Sequence, residues 1–210
     1  MCFSFEASVA ALLVGTISSI CVFLLGGPFD KIIGIWFFFI SLMQGIEALL
    51  WKHQTCDDFH KNVTYLGSSL NSSQPLVLAL LCYIYSKQAN PIALLVIVAL
   101  YLIYGLQIYF RNHPESYFCS NPKSGDPHLV WKWTVTDNYL MDWLVYLIAL
   151  CLLCVYGLNK IRAFLLGGSI ITSLVLTYWL YPRESVGSVW CFFTALTPPI
   201  YLALRKLGYI

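Results

Sequence analysis

The chain has 210 residues, of which 59% are hydrophobic and only 10% charged, and its formal net charge is +2. A soluble domain carries about 25% charged residues, so this composition excludes a large soluble domain. The lack of any basic run argues against nucleic acid as a partner. The expected class is all-α: a polytopic membrane protein forming a single domain over residues 1–210, with membrane lipids as its surroundings.

The N-terminus, MCFSFEAS, has no basic stretch ahead of its apolar run, and GGP at 26–28 makes a poor cleavage site. The first apolar segment is therefore expected to stay as a helix rather than leave as a signal peptide. A spanning-length window cuts seven apolar segments from the sequence. They cover about residues 5–25, 31–51, 65–86, 91–110, 138–156, 161–181 and 186–204. Gly26, Gly27 and Pro28 end the first, Pro91 opens the fourth in a permitted first-turn position, and Gly157 and Pro182 close the fifth and sixth. The third is the least apolar, because GSSLNSSQ precedes its rich stretch from Pro75 to Tyr85. Its first half is expected to line something polar, with a kink at Pro75.

Short connections follow the first, third and fifth segments, and longer ones follow the second and fourth. The longest runs from Arg111 to Asp137, and its Trp131 and Trp133 suit a membrane interface. Six basic residues fall on each side, but they are denser in the short loops, and the short-loop side has Asp30 as its only acid. Asn62-Val63-Thr64 is a glycosylation sequon in the loop after the second segment, which suits an outer loop. The expected orientation is N-terminus outside and C-terminus cytoplasmic. Cys2, Cys56, Cys119 and Cys191 then share the outer side and are disulfide candidates, and four cysteines allow three pairings.

The second segment carries the most informative polar residues. Gln44 and Glu47 are three apart, so they share a helix face inside an apolar run. A carboxylate there costs about 2.5 kcal/mol or more unless it meets a donor or water. Glu6, Asn71, Asn138 and Asp142 fall in the same outer half of their own segments. One economical arrangement is an outward-open acidic cavity lined by these groups, with Glu47 as the charged site and Gln44 orienting it. Such a cavity suits a small channel, transporter or sensor that handles a proton, a cation or a small polar ligand. The alternative is a hydrogen-bonded knot between helices with no ligand. Two other classes stay open: a membrane enzyme acting on a lipid or amine at the outer face, with Glu47 as acid–base, and a structural membrane protein. A pore within one protomer and a pore between protomers of a homo-oligomer fit the sequence equally well.

Metal and cofactor signals are slight. His53 and Cys56 have near-ligand spacing and are the strongest metal pair available. All four histidines fall outside the seven apolar segments, in the expected outer loops, which disfavours a haem held between membrane helices. No Lys lies mid-way along the seventh segment, so no retinal Schiff base is expected. Cys151 and Cys154 have CxxC spacing, but an apolar helix without basic neighbours is a poor redox site. No cofactor is expected.

The stretches MCFSFEAS, MQGIEALLW, GDPHLVWKW and GSVWCFF together resemble a family of small seven-helix membrane proteins that begin Met-Cys-Phe-Ser, found in bacteria and in large DNA viruses. The resemblance implies a compact seven-helix protein and adds weight to Cys2, Glu6, Gln44, Glu47 and Trp190. It implies no particular reaction.

Overall fold

The computed structural model describes residues 4–111, 119–121, 128–131, 139–182 and 185–208. Within these lie eight helices: α1 (Phe5–Leu24), α2 (Pro28–Lys52), α3 (Asp58–Tyr85), α4 (Pro91–Arg111), α5 (Tyr139–Gly157), α6 (Lys160–Leu180), α7 (Val186–Ala195) and α8 (Thr197–Lys206). Five stretches are long and apolar enough to cross a membrane: α1, α2, most of α5, α6, and α7 with α8 taken together. Such helices mark a membrane-embedded protein.

Local chemistry explains the boundaries. Ser4 Oγ accepts from Ala7 N–H at 3.2 Å and starts α1, and Asn159 Oδ1 accepts from Arg162 N–H at 2.9 Å and starts α6. Pro28 occupies the first turn of α2, so that helix begins three residues before the expected Lys31. The larger departure is α3, which begins at Asp58 rather than near Tyr65. Asp57 caps it, with Oδ1 accepting from His60 N–H at 3.0 Å. The polar stretch GSSLNSSQ is helical because its buried side, Gly67, Asn71 and Gln74, packs inward. The helix also runs on through Pro75. The seventh segment divides at Leu196, where Pro198 and Pro199 withhold the amides that would have continued α7.

The second helix is the hub. It packs against α1, α3, α7 and α8, and 67% of its span is buried, against 28% to 50% for the other four. Its closest neighbour is α1, and Gly34 sets that approach, because a Cβ there would meet the backbone of Phe23 and Ser19 at 2.7 to 2.8 Å. Outward faces carry apolar side chains such as Leu24, Ile92, Phe164 and Trp179, as lipid contact requires.

At the short-loop end, Asp30 is nearly buried in the first turn of α2. Tyr201 OH of α8 donates to its Oδ1 at 2.5 Å, and the Arg205 guanidinium lies 3.8 Å from Oδ2. Tyr201→Phe removes one donor from a buried carboxylate. It should lower stability by about 1–3 kcal/mol, read as a fall in thermal midpoint in detergent.

Candidate functional site

Gln44 and Glu47 lie where their spacing puts them, on one face of α2 one turn apart. Gln44 Nε2 donates to Glu47 Oε2 at 2.9 Å, and both side chains are 0% exposed. That figure means no water-sized space touches either one. Their surroundings are inner helix faces, not an open vestibule.

Two further elements bring polar groups to this core. On α3, Gln74 Nε2 donates to Asn71 Oδ1 at 3.4 Å, and Trp36 Nε1 of α2 donates to the Gln74 backbone carbonyl at 3.2 Å. On α5, Tyr146 OH donates to Gln74 Oε1 at 2.5 Å. Cys191 of α7 is fully buried beside Gln74, in the same interior region as Glu47. Tyr146, Trp143 and Trp190 meet edge to face with ring centres 5.9–6.0 Å apart, and Trp190 Nε1 donates to Ser173 Oγ of α6 at 2.9 Å. These aromatic contacts hold α5, α6 and α7 around the polar groups.

Further buried polar atoms fall on the long-loop halves of α2 and α3. Gln44 Oε1, Trp51 Nε1, His60 Nε2 and Thr64 Oγ1 are all buried, with no hydrogen-bond partner among the described residues. The antiparallel register of α2 and α3, joined through residues 53–57, sets His60 and Thr64 opposite the last turns of α2, from Trp51 back to Glu47. His60 Nδ1 lies 2.7 Å from the His53 carbonyl, which can only accept, so Nδ1 carries the proton and a neutral ring leaves Nε2 as an acceptor. His53 itself pairs with Asp57 at 2.7 Å.

Asp57 is exposed, and its carboxyl is held below the ordinary aspartate range first by the His60 backbone N–H and then by the His53 ring. A lowered value means that its contribution is complete above the unfolded aspartate pKa, about 3.9, and is lost as pH falls through the folded one. Hydrogen-exchange protection at the start of α3, taken relative to the intrinsic rate at each pH, should therefore fall below about pH 4. Asp57→Ala should lower that protection at neutral pH and remove its fall in acid.

The other expected site residues are dispersed. Asp142 lies in the α4–α5 seam, where Tyr104 OH donates to Oδ1 at 2.8 Å. Glu6 is exposed in the first turn of α1, whose buried side belongs to Ser8. Asn138 and Cys2 lie outside the described residues. Of the cysteines, Cys56 and Cys119 form a disulfide with Cα atoms 5.6 Å apart. Cys191 differs from expectation: it carries a free, fully buried thiol, because its face of α7 turns towards α2 and not to the outer loops. The disulfide also takes Cys56 away from any metal role with His53.

The disulfide ties the long connection down. Its described pieces, residues 119–121 and 128–131, are mostly buried, and Leu129 and Trp131 join the hydrophobic core. Trp131 is thus a core residue and not the interfacial one its position suggested, packed beside Gly187 of α7. Asn121 and Val130 share a backbone hydrogen bond at 3.3 Å. These pieces form a cap.

Gln74 and Cys191 are the members of the cluster that sequence reasoning missed. The signal for Gln74 was its position one turn beyond Asn71 on the same face. No protein family, curated protein or solved structure matches the chain.

Proposed function

We propose that the chain is a seven-span membrane protein, N-terminus outside and C-terminus cytoplasmic, that handles a proton, a cation or a small polar ligand at Glu47 as a channel, transporter or sensor. In this reading α3 and α4 are the two further spans: α3 has 28 residues and α4 has 21, lengths that reach across a bilayer. The orientation is supported by a disulfide at the long-loop end, which suits an oxidising compartment, and by the basic density of the short loops. The N-terminal and Trp190 stretches keep the likeness to the small Met-Cys-Phe-Ser proteins.

The observation that supports this reading is the set of unpartnered buried polar atoms on Trp51, His60, Thr64 and Gln44, which fall on the facing ends of α2 and α3, in the part of α2 that carries Glu47. Each such atom costs about 1–3 kcal/mol when left unsatisfied. A polar path that passes a proton, a hydrated ion or a polar ligand uses those groups. The cluster is enclosed at rest, so passage requires the cap end to open.

A second reading has one observation in its favour, the complete burial of Gln44 and Glu47: the cluster as a structural knot. The test is flux. Liposomes containing the protein should pass protons or a monovalent cation faster than protein-free liposomes between pH 5 and 8. Equal flux for every ion offered would remove the channel and transporter readings and leave the knot.

A further inference from the structure

The short-loop end holds a cleft of about 150 Å³ between the start of α2, the end of α3 and the α5–α6 turn. Pro28, Phe29, Ser86, Lys87, Asn159 and Arg162 line it. Its charge is one-sided. Arg162 is held over the Phe29 ring at 5.1 Å, and Lys31 sits over the Tyr85 ring, on the cleft wall, at 5.7 Å. The acid nearest in sequence, Asp30, is not among the lining residues, and it is already engaged by Tyr201 and Arg205. The N-termini of α2 and α6 both border the cleft; Asp30 in the first turn of α2 offsets the positive end of that helix, while the first turn of α6 has no acid. Ser86, Gln88 and Asn159 supply neutral polar groups.

We infer that this cleft binds a phosphate-bearing anion, and that its occupant is the headgroup of an acidic membrane lipid. Two basic side chains, the N-terminus of α6 and neutral polar groups are the chemistry that receives phosphate oxygens. The volume admits a phosphate group but little more, so the rest of the ligand must lie outside. A bilayer provides that: Ile161 and Phe164, in the first turns of α6 beside Arg162, are 74% and 79% exposed and offer an apolar path for acyl chains. Basic pockets between helices on this side of a membrane protein commonly hold acidic headgroups. The inference rests on the proposed placement of this end at the cytoplasmic face but not on any flux through Glu47.

The test uses the full-length protein in phosphatidylcholine nanodiscs with and without phosphatidic acid, scoring retained lipid by native mass spectrometry. Wild type should retain phosphatidic acid in preference to phosphatidylcholine. Lys87→Gln and Arg162→Gln should each lower that retention about fivefold, the factor equivalent to about 1 kcal/mol per basic group. Lys206→Gln removes the same charge at the same end but outside the cleft, and it should leave retention unchanged. Equal loss in Lys206→Gln, or full retention in both cleft variants, would overturn the site. Lys87 is exposed, so its variant keeps the test usable if Arg162→Gln does not fold. Inorganic phosphate decides the source. Failure of millimolar phosphate to displace the lipid supports the headgroup. A thermal shift with phosphate alone, lost in Lys87→Gln, would keep the anion site but overturn the lipid as its occupant.

Discussion

Gly34→Leu should push α1 away from α2 and lower the thermal midpoint of the bundle by about 10 °C. A Cβ at this position would lie 2.7 Å from Phe23 N and 2.8 Å from both Phe23 Cβ and Ser19 O. Two of those atoms are backbone and cannot rotate away. Carbon contacts settle at roughly 3.5–4.0 Å, so α1 would have to move out by about 1 Å for the Cβ alone, and further for a leucine. Inside a bilayer, helix association rests on packing, since lipid is as apolar as leucine. The lost contacts are therefore not recovered elsewhere. Overpacking of this kind costs about 1–3 kcal/mol or more, and α2 is the helix that the rest of the bundle packs on. At roughly 2–4 °C per kcal/mol for a chain of this size, the thermal midpoint should fall by about 10 °C. Gly105 in α4 is the control: nothing lies within 4 Å of its Cβ position, so Gly105→Ala should be neutral or stabilising by up to about 1 kcal/mol.

Cys56→Ser should release the cap while leaving the helices inserted. The disulfide closes a loop with a sequence separation of 63. Chain-entropy arguments assign about 4 kcal/mol to a closure of that length. Most of that loop is α3 and α4, which stay ordered by packing on α2 and α5, so the effect falls on the long connection instead. With about 2 kcal/mol or more lost, hydrogen exchange across residues 119–121 and 128–131 should quicken about 30-fold or more, while α2 and α5 stay protected. Equal quickening throughout would mean that the disulfide holds the whole bundle and not the cap alone.

The helical character of the chain was legible from composition and apolar run length, because a membrane helix must satisfy its own backbone over a bilayer's width. The Gln44–Glu47 pair was legible for the same kind of reason: spacing fixes a shared face whatever the partners are. What that face meets was not legible. Gln74 and Cys191 come from helices distant in sequence, and only packing brings them beside α2. The early start of α3 depended on one capping contact, Asp57 to His60, which outweighed the polar character of the residues that follow. Glu6 and Glu47 look alike in the sequence, yet one is exposed and the other fully buried. The difference is their place along the helix, since Glu6 sits in a first turn and Glu47 inside a hub. The buried cap residues were hidden for a similar reason. Leu129, Val130 and Trp131 are a short apolar run within a loop, and nothing local distinguishes a run that enters the core from one that rests at the interface.

The open-cavity arrangement illustrates the same limit. Five of the six grouped polar residues fall within the described structure, and only Gln44, Glu47 and Asn71 reach the interior cluster. Asp142 found a tyrosine in a different seam. Placement at a common depth is a weaker condition than placement on converging faces, and convergence is set by how each helix is rotated.

The decisive measurement is proton and cation flux into liposomes across pH 5 to 8, with wild type and Glu47→Gln compared at equal protein and with their thermal midpoints recorded. Gln preserves the size of Glu47 and its capacity to pair with Gln44 but cannot carry charge. If Glu47 is the working site, flux falls at least tenfold while the midpoint changes by only a few degrees. Wild-type flux in the Gln variant would contradict that assignment and leave the buried pair as a structural contact between helices.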